Sequence, residues 1–256
     1  MFSWRARRQL FYLAVFAVVI GLIAWRLSVY FQPAPTCFDG VQNQAEQGTD
    51  CGGPCAKKCL GDVRDLTVVW TRISSSADGK YDVAALVDNG NLYAGLKTFT
   101  YRFKLYDERG VTVAIREGST YLNPAERFVI LESGIDTKAK VPKRAVLELP
   151  EASATDWQRF EVTKPNVIVA RKIFTNEPFP TLEAVLRSGE VKALTDLQVA
   201  AVLYDEAQNV LAVSRTTLDN FPASGERSAY FTWGAAFAST TPANIDVFVR
   251  VNQTLQ

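Results

Sequence analysis

The chain of 256 residues carries 28 basic and 27 acidic side chains, a net charge of +1, and no histidine. Without histidine there is no Ser-His-Asp or Cys-His catalysis, no His-ligated zinc and no imidazole pH switch; the balanced charge offers no basic stripe to a nucleic-acid backbone. With 48% hydrophobic and 21% charged residues, the composition is that of a folded protein rather than a disordered or fibrous one.

Residues 1–9 include Arg5, Arg7 and Arg8, and Leu10–Trp25 then runs without a charge or a proline. As a helix that run reaches about 24 Å, short of the roughly 30 Å hydrocarbon core of a bilayer. Letting Arg26 snorkel and adding Leu27–Phe31 brings the span to roughly 33 Å, so a transmembrane helix is predicted over 10–31. After Arg26 no Lys or Arg occurs until Lys57. The positive-inside rule therefore keeps 1–9 in the cytoplasm and sends the rest to the extracellular or periplasmic side. A cleaved signal peptide shares the basic start and apolar middle, but Ala24-Trp25-Arg26 is no small-x-small cleavage site and Thr36 before Cys37 does not fit a lipoprotein box. A retained single-pass anchor is the expectation.

All four cysteines, Cys37, Cys51, Cys55 and Cys59, fall within 36–60. A segment this small outside the cell needs staples, so two disulfides are expected, with three connectivities open. A four-thiolate zinc site is the rival, but zinc ribbons favour two Cys-x2-Cys pairs, whereas the gaps here are 13, 3 and 3 residues. Asp39, Asn43, Glu46 and Asp50 sit among glycines as hard oxygen donors that Ca²⁺ could take. The same residues are what tight turns require, and the weight falls on turns, with no cofactor expected. Taken whole, the segment resembles a Cys-x-Asp-Gly-[Ile/Val]-x-Asn…Glu-x-Gly-x-Asp-Cys-Gly-Gly-x-Cys element of large exported bacterial proteins. That resemblance implies an outside address and no activity.

Past Gly61, short runs of Val, Leu, Ile, Thr, Tyr and Phe are broken by Gly, Pro, Asn and Asp about every ten residues, the pattern of an all-β sandwich. The pattern occurs twice. Leu105-Tyr106-Asp107-Glu108 returns as Leu203-Tyr204-Asp205-Glu206, Glu126-Arg127 as Glu226-Arg227 and Pro142 as Pro242; the drift from 98 to 100 fits a two-residue insertion between Asn123–Glu126 and Phe221–Glu226. Upstream, 65–73 aligns with 166–174 and 81–90 with 182–191. The expected architecture is two tandem immunoglobulin-like β-sandwiches, 63–152 and 158–256, with Trp157 and Phe160 of the connector seating one against the other.

In Tyr101–Tyr106 the alternation of Tyr, Phe and Leu with Arg and Lys is that of a half-buried strand. Asp107-Glu108-Arg109-Gly110 then reads as a turn in which the aspartate bonds its own backbone and the glycine takes a left-handed conformation. LYDE is thus a strand end rather than a pair of catalytic acids. Phe103-Lys104-Leu105-Tyr106-Asp107 also resembles the signature of the FxLYD domain family, and Pro124-Ala125-Glu126 is similar to its proline-glycine-glutamate turn, with Ala125 in place of glycine. In the second copy Ala201 replaces the phenylalanine while Gly225-Glu226 restores the glycine. The resemblance implies a sandwich of about this length, common in single-pass bacterial and archaeal surface proteins, with no catalytic residues.

One contrast between the copies bears on partners. The outward face of the first LYD strand is Thr100, Arg102, Lys104 and Tyr106; that of the second is Gln198, Ala200, Val202 and Tyr204. An apolar outer face calls for a cover, and Ala200, Val202 and Tyr204 are a candidate interaction face for the other sandwich, a second chain or a ligand. Tyr230, Phe231, Trp233 and Phe237 form an aromatic group whose expected role is core packing. The sequence thus points to a non-enzymatic, membrane-anchored surface protein with its sandwiches as stalk or binding module, without nucleic acid and with a protein partner in the cell envelope. The alternatives are a subunit of a secretion, pilus or transporter assembly docking through the apolar strand, and a tethered hydrolase using Asp205, Glu206 or Glu226.

Overall fold

The computed structural model describes residues 4–31, 34–57, 59, 63–77, 79–138, 140–149, 157–160, 164–234, 237 and 241–255. The chain falls into two compact units, Met1–Pro54 and Cys55–Gln256.

The first unit opens with α1 (Trp4–Tyr30), whose stretch Arg7–Tyr30 is long and apolar enough to cross a membrane and is exposed along its length. With no proline to interrupt it, every backbone amide can bond within the helix, the condition a bilayer imposes. The helix begins before the apolar run predicted to span the membrane. Arg8 explains the extension: its guanidinium lies 5.4 Å from the Trp4 ring and 6.0 Å from the Tyr12 ring, one helical turn to either side. All four cysteines are disulfide-bonded, so they offer no thiolate to zinc.

The second unit is built from antiparallel strands: β1 (Thr67–Ala77), β2 (Lys80–Asp88), β3 (Ala94–Tyr106), β4 (Thr112–Leu122), β5 (Arg127–Asp136), β6 (Arg144–Glu148), β7 (Gln158–Arg159), β8 (Val167–Thr175), β9 (Thr181–Ser188), β10 (Leu194–Tyr204), β11 (Val210–Phe221), β12 (Glu226–Thr232) and β13 (Asn244–Arg250). A first sandwich sets sheet β1-β2-β5 against β4-β3-β6; a second sets β8-β9-β12 against β11-β10-β13. Each of β1–β6 therefore has its counterpart seven strands later. The first core holds alternate residues such as Val83, Ala85 and Val87 of β2 and Phe99, Tyr101, Phe103 and Leu105 of β3. The second holds Leu182, Ala184 and Leu186 of β9 and Leu197, Val199, Ala201 and Leu203 of β10. A fully buried Leu, Val or Phe contributes about 1.5–3 kcal/mol, so these rows carry most of the stability.

Both LYD turns close as the sequence predicts. Asp107 Oδ1 accepts the amides of Arg109 and Val111, each at 2.9 Å, and Gly110 has φ +77°. Asp205 Oδ1 accepts the Asn209 amide at 2.7 Å, while Gln208 takes the left-handed position at φ 63°. The register of the next loop differs from the sequence alignment. Asn89 N donates to Glu126 O in the first sandwich and Ser188 N to Gly225 O in the second, with the left-handed residue Ala125 (φ 47°) matched by Ser224 (φ 48°). Gly90 thus corresponds to Gly189, two residues from the alignment of 81–90 with 182–191, and Glu126 corresponds to Gly225 rather than to Glu226. A shift of two keeps every side chain on its own face, so alternation alone does not detect it.

The connector's residues 150–156 and 161–163 lie outside the described residues. Trp157 packs into the first core, β7 pairs with β3 at Ala94 and Gly95, and Phe160 N donates to Tyr93 O at 2.9 Å. This part of the connector belongs to the first sandwich.

Candidate functional site

Residues Val83–Val87 of β2 and Val199–Tyr204 of β10 are buried without a break, so each strand is covered on both faces. The second cover is the other sandwich. Ala84, Leu86, Val129 and Leu131, from the outer face of β1-β2-β5, pack against Ala200, Val202 and Tyr204, from the outer face of β11-β10-β13, with Trp70, Val210, Val213 and Phe248 around them. The candidate interaction face is therefore occupied from within the chain. Burial, reinforced by Asp246, pushes the Tyr204 phenol above its ordinary range. The first sandwich's half of this seam was missed in the sequence, where the signal was two unbroken apolar runs, Val83-Ala84-Ala85-Leu86-Val87 and Phe128-Val129-Ile130-Leu131. Such runs mark strands buried on both sides.

Beside the seam lies a polar latch. Arg250 and Glu126 are almost wholly buried, and Arg250 Nη2 donates to Glu126 Oε2 at 2.9 Å and to Tyr121 O at 2.8 Å. The guanidinium is stacked 4.0 Å from the Tyr121 ring and 4.1 Å from the Phe128 ring. Burial raises the Glu126 carboxyl, and the charge of Arg250 opposes that shift. Asn123 extends the latch, its Nδ2 donating to Glu126 Oε1 at 3.0 Å and to Val251 O at 2.9 Å while its Oδ1 accepts from Gln253 N at 3.1 Å. The sequence hint was a lone cation inside the apolar stretch Phe248-Val249-Arg250-Val251. Paired with a carboxylate and stacked between two rings, such a group survives burial even though its Nε has no hydrogen-bond partner among the described residues; unpaired, it would not.

A second polar network crosses the first sandwich. Tyr101 Oη donates to Glu132 Oε1 at 2.7 Å and Arg116 Nε to Glu132 Oε2 at 2.8 Å. It needs Gly118, since a Cβ there would stand 2.4 Å from the Tyr101 hydroxyl. Burial, and then the Glu132 carboxylate, push the Tyr101 phenol well above its ordinary range.

The cysteine segment gathers its four oxygen-bearing residues into one loop. Asp39 accepts from Thr36 N (3.0 Å), Val41 N (2.9 Å) and Asn43 Nδ2 (2.9 Å), and these bonds, the Thr36 amide foremost, hold its carboxyl below the usual range. Asp50 accepts from Gly40 N with both oxygens at 3.0 and 3.1 Å, and Glu46 Oε2 from Asn43 N and Asp50 N, each at 3.2 Å. These oxygens face N–H donors, which is the turn-holding role.

The acids of the hydrolase alternative are not assembled. Asp205 is held by Asn209, whose side chain foremost lowers its carboxyl, and Glu206 is exposed in the same turn. Glu226 starts β12, in the opposite sheet, paired with Arg187 at 2.6 Å. Of the aromatic group, Phe231 is in the core and Trp233 and Phe237 pack on it, while Tyr230 is exposed.

No protein-family model matches the chain, and no curated protein is similar to it. Among solved structures, the crystal structure of red sea bream transglutaminase aligns at 11% identity and a TM-score of 0.23, covering 73% of this chain and 29% of that one. The chain thus spans under a third of that protein, and the overlap is too loose to indicate an activity.

Proposed function

We propose that the chain is a non-enzymatic, single-pass membrane-anchored surface protein whose two sandwiches work as one stiff stalk or interaction module. The N-terminus stays cytoplasmic and the sandwiches stand on the extracellular or periplasmic side. The observation that carries this reading is the seam with its buried Arg250–Glu126 latch, which packs the two sandwiches against each other. The arginines at the start of α1, ahead of its apolar run, supply the orientation, and the disulfides agree with an oxidising compartment. The resemblance to FxLYD domains, which rests on the sequence, points the same way. A partner in the envelope would have to use another surface, because Ala200, Val202 and Tyr204 are covered.

The test is to label intact cells with a membrane-impermeant amine reagent, count free thiols, and then isolate the protein from gently solubilised membranes. Lysines between Lys80 and Lys192 should be labelled and no free thiol found. Unlabelled lysines with reactive thiols would overturn the orientation and the proposal together.

A further inference from the structure

A second feature at the junction of the sandwiches is polar. A cleft of about 480 Å³ takes Lys97, Tyr101 and Tyr121 from the first sandwich and Gln198, Arg215 and Thr217 from the second. This is the size of a small-ligand site, about 300–1,000 Å³. Its charge is unbalanced. Glu132, which lines it too, has both oxygens engaged by Tyr101 and Arg116. Neither Lys97 nor Arg215 is in an ion pair among the described residues.

Tyr121 contributes to the wall of the cleft, with its hydroxyl buried. Two cations outside any ion pair among the described residues thus line one cleft, and what they lack is oxygen lone pairs carrying negative charge. We propose that this cleft binds a small oxyanion, a carboxylate or a phosphate group, with the hydroxyl and amide groups of Thr217 and Gln198 receiving adjacent ligand hydroxyls. Because both sandwiches supply donors, the site exists only while the seam is closed.

Calorimetric titration of the full-length protein in detergent micelles, in low-salt buffer, tests this with three probes: inorganic phosphate, glucuronate and glucose. Phosphate or glucuronate should bind saturably and more weakly at higher salt, and glucose should not bind. If only phosphate binds, the ligand is a phosphate; if only glucuronate, an acidic sugar. Lys97→Gln and Arg215→Gln should each weaken binding about fivefold to tenfold. Arg102→Gln, on an outer sheet face, should leave it unchanged. Lys97 and Arg215 are exposed, so their variants fold, and an unchanged thermal midpoint verifies it. The proposal falls if neither anion binds, if glucose binds as well as glucuronate, or if the Lys97→Gln/Arg215→Gln double variant binds like the parent.

Discussion

β3 and β10 hold the same place in their sandwiches and end in the same turn, yet their outer faces are opposites. On β3, Arg102 pairs with Glu117 at 2.6 Å, Lys104 with Glu148 at 2.7 Å, and the Arg144 guanidinium lies 5.0 Å from the Tyr106 ring. On β10 the corresponding residues are Ala200, Val202 and Tyr204, at 6%, 0% and 8% exposure. The inward faces, Phe103 and Leu105 against Ala201 and Leu203, remained apolar in both. The difference teaches that a sandwich dictates only half of each strand, and whatever lies outside dictates the other half.

The most damaging way to break the comparison is to put the β3 residue on β10. Val202→Lys places an ammonium in the dry centre of the seam and should cost about 4 kcal/mol, read as a lower denaturant midpoint. The reciprocal Lys104→Val should change stability by less than about 0.5 kcal/mol, because it removes only a partly exposed ion pair. Next, Arg250→Met strands Glu126 in the latch and should cost about 3 kcal/mol. Combining it with Glu126→Gln should restore part of the loss, since no buried charge then lacks its partner.

Alkaline titration tests both sandwiches, because Tyr204 of the second is raised as well, while Tyr101 and Tyr121 of the first carry the larger shifts. Their folded-state values are raised above the unfolded value of 10.0, so the associated stability is complete below about pH 10 and is lost as pH rises beyond it. The slope should approach about 1.4 kcal/mol per pH unit for each phenol, and Tyr101→Phe or Tyr121→Phe should flatten it. The smallest effect should come from the two turns. Asp107→Ala and Asp205→Ala each remove two hydrogen bonds to aspartate and should cost about 1 kcal/mol in the same denaturant assay. Equal losses would show the turns to be equivalent despite their different surroundings.

What the sequence disclosed follows the same division. Period-two alternation revealed the strands and the inward rows, and Asp107 and Asp205 revealed the hairpin corners, because these are local. The counterpart of Gly90 was misplaced by two residues because alternation repeats at that interval. Half of the seam was legible, since Val202 sits where Lys104 sits in the other copy and so stood out. Its mates, Leu86 and Val129, lay in runs that already looked apolar, with no polar twin to contrast against. Arg250 and Glu126, 124 positions apart, carry no local mark of their pairing.

The seam joins unlike faces, a β1-β2-β5 sheet to a β11-β10-β13 sheet, so it is head-to-tail and has no geometric reason to stop at two. The two end faces that could continue the series are both disarmed. On β9 and β12, Glu183 stands where the seam has Ala84, and Ser228 and Tyr230 stand where it has Val129 and Leu131, with the Ser228 hydroxyl donating to Glu183 at 2.6 Å. At the other end β3 presents Arg102 and Lys104. A neighbouring molecule therefore meets charge at either end, which opposes the spread of the contact that joins the repeats within one chain into a fibre between chains.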